Sequence, residues 1–162
     1  MAAFVNLSRK PQLATAWTGT APGLPGTQTI AGTLSSPQDL STYVRSGNGG
    51  GSVNMVNGDN FGSGGFRVQY PGIRSGDTIS FDAISDFAAS LLHVIVNTTL
   101  GGLGALVYVD LLATSASRSA TNPSFVAAAY ISQYTAVMGS VGDLAAASLT
   151  LELTGAFTYL TA

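Results

Sequence analysis

Alternating apolar and polar residues constrain the fold of this chain more than any other feature. In the run "DTISFDAIS", Ile79, Phe81 and Ala83 would face one side of a strand, and Ser80 and Asp82 the other. A period of two is the side-chain repeat of a β-strand. The same alternation recurs in the runs "ALVYVDLLAT", "PSFVAAAYISQYTAVMG" and "SLTLELTGAFTYL". The second half of the chain is therefore predicted to consist of β-strands.

Some of these runs carry additional information. The alanines of "PSFVAAAYISQYTAVMG" would also suit a helix, but Phe125 and Ala127 keep the strand alternation, and we favour a strand. The run "LLHVIVNTT" is apolar on both faces and rich in β-branched residues, which predicts a central strand. The glycines of "LGGLG" would then form a hairpin to the next strand, and Gly155 predicts a bulge. The expected fold is an antiparallel β-sandwich with Val94 and Leu151 in its core.

Charged residues are unusually sparse in this sequence. They make up 9% of the 162 residues, whereas an ordinary soluble domain has roughly 25%. A free monomer usually keeps itself soluble with a charged surface, so this chain is either secreted or covered by copies of itself. The first ten residues lack the parts of a secretory signal, and no window is apolar enough to span a membrane. We therefore expect self-association, without export and without a membrane partner.

The first third of the sequence differs from the rest. Its stretch "APGLPG" prevents a regular helix and interrupts any sheet ladder. We expect an extended N-terminal arm over residues 1–35, followed by a single β-sandwich domain over residues 36–162. Large apolar side chains of the arm and of the glycine-rich stretch could fill pockets in a neighbouring subunit. The predicted assembly contacts are Phe4, Leu7, Leu13, Trp17 and Phe61.

The glycine-rich stretch at residues 46–65 does not match known ligand-binding loops. A phosphate loop would need a lysine and a following helix, and neither is present in the sequence pattern. A calcium loop would need several acids, whereas Asp59 is accompanied only by Asn57 and Asn60. The remaining interpretation is a surface loop that provides an assembly contact or an exposed edge.

Catalytic and metal-binding constellations are not evident in the sequence. There is no cysteine, and His93 is the one histidine, placed within a predicted strand. General-base catalysis by His93 would need a nucleophile, and none is identifiable. Asp77, Asp82 and Asp86 are close in sequence, but Asp77 and Asp82 would face opposite sides of a strand. We expect no catalytic residue, no metal and no cofactor, so the protein is predicted not to be an enzyme.

The layout resembles that of single jelly-roll viral coat proteins. The runs "ASLLHVIVNTT", "GALVYVDLLATS" and "ASLTLELTGAFTYL" look like the central strands and the last strand of small icosahedral coats, such as those of the tymovirus group. The low charge and the richness in alanine, glycine, threonine and serine are also similar to bacteriophage capsid and cement proteins. The resemblance covers roughly residues 77–162. It implies a jelly-roll-like sandwich and a structural role in the virion.

On this basis the main expectation is a capsid subunit that assembles with copies of itself, and with other capsid proteins, into an icosahedral shell. It would be part of the virion, assembled in the cytoplasm of the host cell. One alternative is a bacteriophage decoration or cement protein, or another virion component. A further alternative is a carbohydrate-binding β-sandwich, and a β-sheet enzyme is the least favoured because too few titratable groups are present.

Nucleic acid is predicted to bind weakly or not at all. The formal net charge is −2, and Arg9 and Lys10 are the only adjacent bases, so no basic stripe can release many counterions. Fluorescence anisotropy with labelled duplex DNA should show weak binding at low salt and none at about 0.15 M salt. Submicromolar binding at that salt would contradict the prediction.

Overall fold

The computed structural model describes residues 10–22, 30–57, 69–85, 92–112, 114, 116–138, 145–155 and 158–161. Over these ranges the chain forms ten β-strands and one short helical segment. The strands are β1 (Lys10–Ala14), β2 (Ala16–Thr20), β3 (Ala31–Ser35), β4 (Gln38–Asp39), β5 (Val44–Asn57), β6 (Gln69–Ile84), β7 (Leu106–Leu112), β8 (Ser124–Met138), β9 (Ala146–Leu153) and β10 (Thr158–Leu160). The helical segment consists of an α-helical turn, α1 (Leu92–Val94), that continues as a π-helix (Ile95–Thr99).

The described strands form one large sheet and one small sheet. The large sheet has eight strands. Seven follow the order β4-β1-β7-β8-β9-β6-β5, and the eighth, β10, pairs with the start of β8. The small sheet is the hairpin of β2 and β3. All of these pairings are antiparallel, so the prediction of an antiparallel all-β fold is confirmed. A jelly roll would instead divide eight strands between two packed sheets.

One face of the large sheet, called here the inner face, carries the hydrophobic core. It presents apolar side chains at every second position of β6, β7, β8 and β9, as the alternation predicts. The helical segment packs against this face. Its residues Leu92, Ile95, Val96 and Leu100 belong to the same cluster of buried side chains as the strand residues. The cluster includes Leu13, Ile79, Phe81, Val107, Val109, Ala127, Ala129, Ile131, Leu149, Leu151 and Leu153.

The prediction of a central strand at "LLHVIVNTT" is wrong, because residues 92–99 are helical. The buried positions 92, 95, 96 and 100 follow the i, i+3, i+4, i+8 spacing of a helix face. The N–H of Leu100 donates to the Ile95 carbonyl at 2.8 Å, and that of Gly102 donates to the Val96 carbonyl at 2.9 Å. The glycines that follow end the helical segment instead of forming a hairpin. Burial against the sheet outweighs the β-propensity of Ile and Val here.

The segment predicted as an N-terminal arm contributes to the domain. Strand β1 pairs with β7 from Lys10↔Leu112 to Ala14↔Tyr108. Leu13 is fully buried in the core cluster. Residues 1–9 and 23–29 lie outside the described part of the chain. Within residues 10–22 and 30–35, the chain is extended, but it pairs and packs with strands of the second half.

The glycine-rich stretch is largely strand where the structure describes it. Residues 46–57 belong to β5, which pairs with β6 through three register shifts, so they do not form the predicted loop. Gly47 lies directly opposite Phe81, and a Cβ at Gly47 would approach Phe81 Cδ1 to 2.9 Å. Glycine therefore leaves room for the Phe81 ring at this point. Residues 58–65 lie outside the described ranges.

The end of the chain also departs in detail from the sequence pattern. Strand β9 ends at Leu153, and β10 begins at Thr158. Both pair with β8, at Ala129–Met138 and at Ser124–Val126 respectively. The interruption near Gly155 thus separates two strands where a bulge was predicted.

Core substitutions distinguish the observed fold from the predicted one. Leu151→Ala should lower the free energy of unfolding by about 2 to 5 kcal/mol, because Leu151 is fully buried between β6 and β8. Val94→Ala should lower it by less than about 1 kcal/mol, because Val94 is half-buried on the helical segment. Urea denaturation followed by circular dichroism measures both. Equal losses for the two variants would contradict the observed packing.

Candidate assembly surfaces

Two long strand edges of the large sheet are free among the described residues, besides those of the short strands β4 and β10. Strand β5 ends the strand order and pairs with β6 on one side. Strand β8 pairs with β7 only up to Tyr130↔Leu106, so residues 132–138 have β9 on one side and no described strand on the other. Unpaired N–H and C=O groups on such edges can hydrogen-bond to a strand of another chain.

The opposite face of the sheet, called here the outer face, carries a row of exposed side chains across four strands. Leu106 lies opposite Tyr130, Tyr130 opposite Glu152, and Glu152 opposite Thr78. Leu106 is 39% exposed and Tyr130 is 47% exposed. We call Leu106, Tyr130, Glu152 and Thr78 the exposed row. Two large apolar side chains side by side on a sheet surface are typical of a contact site.

A second exposed apolar group lies where β10 meets β8. Phe125 and Tyr159 are directly opposite each other across this strand pair. Their rings make an edge-to-face contact with centroids 5.5 Å apart. They are 43% and 54% exposed, respectively. Aromatic side chains of this kind dominate the energetics of many protein interfaces.

A buried ion pair fixes the small hairpin to the outer face of the large sheet. The Arg118 guanidinium donates to Asp110 Oδ2 at 2.7 Å and to the Gly32 carbonyl at 3.1 Å. Asp110 belongs to β7 and Gly32 to β3, so one side chain joins three parts of the chain. Asp110 Oδ1 and Arg118 Nε themselves have no hydrogen-bond partner within the described structure. The pair is therefore the main polar link between the hairpin and the sheet.

The loop that presents Arg118 is organised by Asn122. Its side-chain oxygen accepts from the Thr114 N–H at 2.9 Å. Its side-chain nitrogen donates to the carbonyls of Ala116 at 2.7 Å and Ser117 at 3.1 Å. These bonds hold the described part of the loop in one conformation. Sequence reasoning missed Asp110, Arg118 and Asn122; an acid within the apolar run "ALVYVDLLAT" was the available signal.

The sequence-predicted assembly contacts have different positions. Leu13 lies inside its own subunit, where it cannot fill a pocket of a neighbour. Trp17, on β2, is half-buried; its Nε1 donates to the Ala31 carbonyl at 3.1 Å, and its ring lies 6.0 Å from that of Tyr108. A role of Trp17 in assembly stays a prediction. Phe4, Leu7 and Phe61 lie outside the described residues, and their roles also stay predictions.

The residues considered for catalysis or metal binding are dispersed. His93 is on the helical segment, where its ring lies 5.9 Å from that of Tyr134 and Asn97 Nδ2 donates to its carbonyl at 3.0 Å. Burial raises the pKa of Tyr134. Asp82 is exposed on the outer face and accepts a hydrogen bond from Ser46 at 2.7 Å. The side chain of Asp77 and all of Asp86 lie outside the described structure.

The described residues provide neither a cluster of metal ligands nor a membrane-spanning helix. They contain no group of three or more His, Cys, Asp or Glu side chains arranged around a possible metal position. In these ranges, no helix has both the length and the apolar character needed to cross a membrane.

An exposed ion pair lies at the opposite end of the sheet from β5. Lys10 Nζ is 3.4 Å from Asp39 Oδ2, across β1 and β4. Partial burial raises the pKa of Asp39, but hydrogen bonds from Ser41 and the charge of Lys10 outweigh it, so this pKa lies below its ordinary value. Both side chains remain partly exposed, so the pair contributes little to stability.

Comparison with known proteins relates the fold to particle tails. No family model and no curated protein matches the chain. Among solved structures, a chain of the SPP1 tail tube is similar, with a TM-score of 0.62, 12% identity, and 99% of this chain and 80% of that chain covered. A chain from the tail of an empty gene transfer agent particle, refined with helical and C6 symmetry, gives 0.58, 13% and 99% of both chains. A chain from the virion of a native gene transfer agent gives 0.54 and 14%, over 76% and 88%.

At these identities the likeness concerns the fold alone. The three structures belong to a tail tube, a tail and a virion, and none is described as an icosahedral coat. The fold therefore resembles that of tail tube proteins and gives no specific support to the single jelly-roll coats that the sequence layout resembles. The topology likewise differs from the jelly roll expected from the sequence, since eight described strands share one sheet.

Removing Arg118 should destabilise the fold strongly. Arg118→Ala leaves the Asp110 carboxylate buried without its partner, and we expect a loss of about 3 to 5 kcal/mol in the free energy of unfolding. Lys10→Ala is the matched control, because its ion pair is exposed and should cost at most about 1 kcal/mol. Replacing the buried pair by apolar residues, as Asp110→Leu with Arg118→Met, should recover much of the loss. Thermal and urea unfolding test these values; equal effects of the two single substitutions would argue against the buried ion pair as a link between the hairpin and the sheet.

Proposed function

We propose that this protein is a virion structural protein that polymerises with copies of itself into a tail tube. The observation that carries the proposal is the fold likeness to the tail chain with C6 symmetry, which extends over 99% of both chains. Likeness over the whole length of both proteins means that the comparison involves the complete domain and not one shared motif. The SPP1 tail tube chain supports the same assignment with the highest of the three TM-scores.

The composition supports a subunit that is covered by copies of itself. Charged residues make up 9% of the chain, so its surface provides little electrostatic repulsion between copies. Ser, Thr, Asn and Gly on the outer face can approach another backbone closely and hydrogen-bond to it. These properties favour a densely packed assembly of identical subunits and not a free monomer.

The surfaces of the described structure support head-to-tail association. A ring is built from heterologous contacts, in which two different surfaces of the same chain meet. The free edge of β5 and the free edge of β8 at residues 132–138 are two such different surfaces. The exposed row and the Phe125–Tyr159 pair provide two separate apolar groups as well. A closed dimer would need only one of these surfaces.

The other functions expected from the sequence have less support. None of the similar structures is described as an icosahedral shell or as a capsid decoration protein. A tail tube subunit instead corresponds to the alternative of another virion component. A carbohydrate-binding module would not account for the likeness to tail chains. A tube subunit needs no catalytic residue or cofactor, and direct nucleic-acid binding stays predicted to be weak. Location in the virion, after assembly in the host cytoplasm, is part of the proposal.

Electron microscopy of the purified protein tests the proposal. We expect the wild-type chain, when concentrated, to form rings or tubes of uniform width with sixfold symmetry in end views. A spherical shell would show a capsid subunit instead. A protein that stays monomeric at every concentration and binds preformed capsids would show a decoration protein.

A charged substitution on the free β5 edge gives a second, directional test. Asn48→Lys should prevent polymerisation, because lysine on an edge strand opposes pairing with another strand. Thr121→Lys is the matched control; it adds the same charge at an exposed position in the loop before β8, and tubes should still form. Tubes from both variants would remove the β5 edge from the assembly contact.

A further inference from the structure

The exposed row and the start of β5 carry opposite, unpaired charges next to apolar side chains. Glu152 is exposed beside Tyr130, and it has no ion pair with any side chain that the structure describes. Arg45 is exposed at the first register shift of β5, next to the half-buried Val44. Each site thus combines apolar surface with one charge, and the two charges are complementary.

Three bases have side chains that the structure describes, and Arg45 is the candidate partner for Glu152 because the other two are occupied. Lys10 pairs with Asp39, and Arg118 pairs with Asp110. Within one subunit, Glu152 and Arg45 cannot meet. Val44, next to Arg45, lies opposite Ala83, which lies opposite Ala147 of β9. Glu152 is five residues beyond Ala147, so it lies roughly 16 Å from this position along the strand direction.

We infer that the exposed row of one subunit binds the Tyr43–Arg45 corner of a second copy, with Glu152 paired to Arg45. This inference rests on the proposed self-association and specifies one of its contacts. Leu106 and Tyr130 would pack against the exposed parts of Tyr43 and Val44, whose other sides pack on the core of their own subunit, and the ion pair would set the register of the two subunits. The contact joins two different surfaces, as a ring requires.

The apolar part of this contact supplies most of its affinity, and the ion pair supplies its specificity. A stable interface buries about 800 Å² on each partner, so the exposed row is the centre of a larger contact that extends over neighbouring Ser and Thr side chains. In a surface where charges are rare, one misplaced charge is costly, because few counter-charges can compensate for it.

A charge exchange tests the pairing. Glu152→Arg and Arg45→Glu should each raise the critical concentration for polymerisation about tenfold, because each puts like charges in contact. The double variant should return to within about twofold of wild type, because the pair is restored with its charges exchanged. Sedimentation measures the critical concentration, and circular dichroism of the dilute proteins verifies that each variant is folded.

The control is a second double variant with the same total charge. Glu152→Arg with Lys10→Glu should stay as impaired as Glu152→Arg alone, because Lys10 pairs with Asp39 of its own chain. Equal rescue by both double variants would overturn the inference, since net charge alone would then explain it. Normal polymerisation of Glu152→Arg would also overturn it, while leaving the proposed function intact. Failure of the wild-type chain to polymerise would count against the proposed function itself.

Disulfide cross-linking tests the same contact without reversing any charge. The chain contains no cysteine, so introduced thiols are unique. When a Glu152→Cys protein and an Arg45→Cys protein are mixed, polymerised and mildly oxidised, we expect covalent dimers that reductant reverses. A chain with both substitutions should give a ladder of oligomers, because the two positions are too far apart within one subunit to pair. No cross-link in polymerised material would place the two residues apart and refute the contact.

Discussion

Burial of the inner face of the large sheet is the constraint on which the rest of the structure depends. Apolar side chains from β6, β7, β8 and β9 form one continuous surface, and the helical segment covers it. Because the side-chain period of a strand is two, placing these residues inward leaves their neighbours on the outer face. How the core is packed therefore also decides which side chains lie on the outer face.

The outer face has two regions with different physical roles. Over β1, β7 and the start of β8, it is covered by the small hairpin, and Asp110 and Arg118 join the hairpin to the sheet. Gly32 has a φ of 112°, a value that other residues adopt only with strain, and its carbonyl is the one that Arg118 binds. From Tyr130 towards β5, no described segment covers the face. The uncovered region is where the chain has surface available for a second copy.

Free strand edges and few charges are a risk for a soluble monomer but are useful for a polymer. Edge strands usually carry charged residues or prolines that prevent pairing. Where β5 is described with its side chains, Arg45 is the one charged residue at this edge. The exposed apolar pairs at two separate places of the sheet also favour association with other copies. In the proposed tube, such a chain would gain stability through contacts with its own copies.

The sequence by itself determined the all-β class and the buried positions of Ile79, Phe81, Val107, Val109, Leu149 and Leu151, because strand alternation is a local property of neighbouring residues. It also indicated self-association, through the low charge. It did not determine the helical segment, since Leu92 and Val96 fit both a strand and a helix, and packing on the sheet decided between them. The strand at residues 46–57 likewise depends on pairing with Phe81 and its neighbours in β6. The ion pair of Asp110 and Arg118, and the row that joins Leu106, Tyr130 and Glu152, involve residues far apart in the chain. Only the tertiary structure decided these contacts, because cross-strand register brings together residues that no local pattern relates.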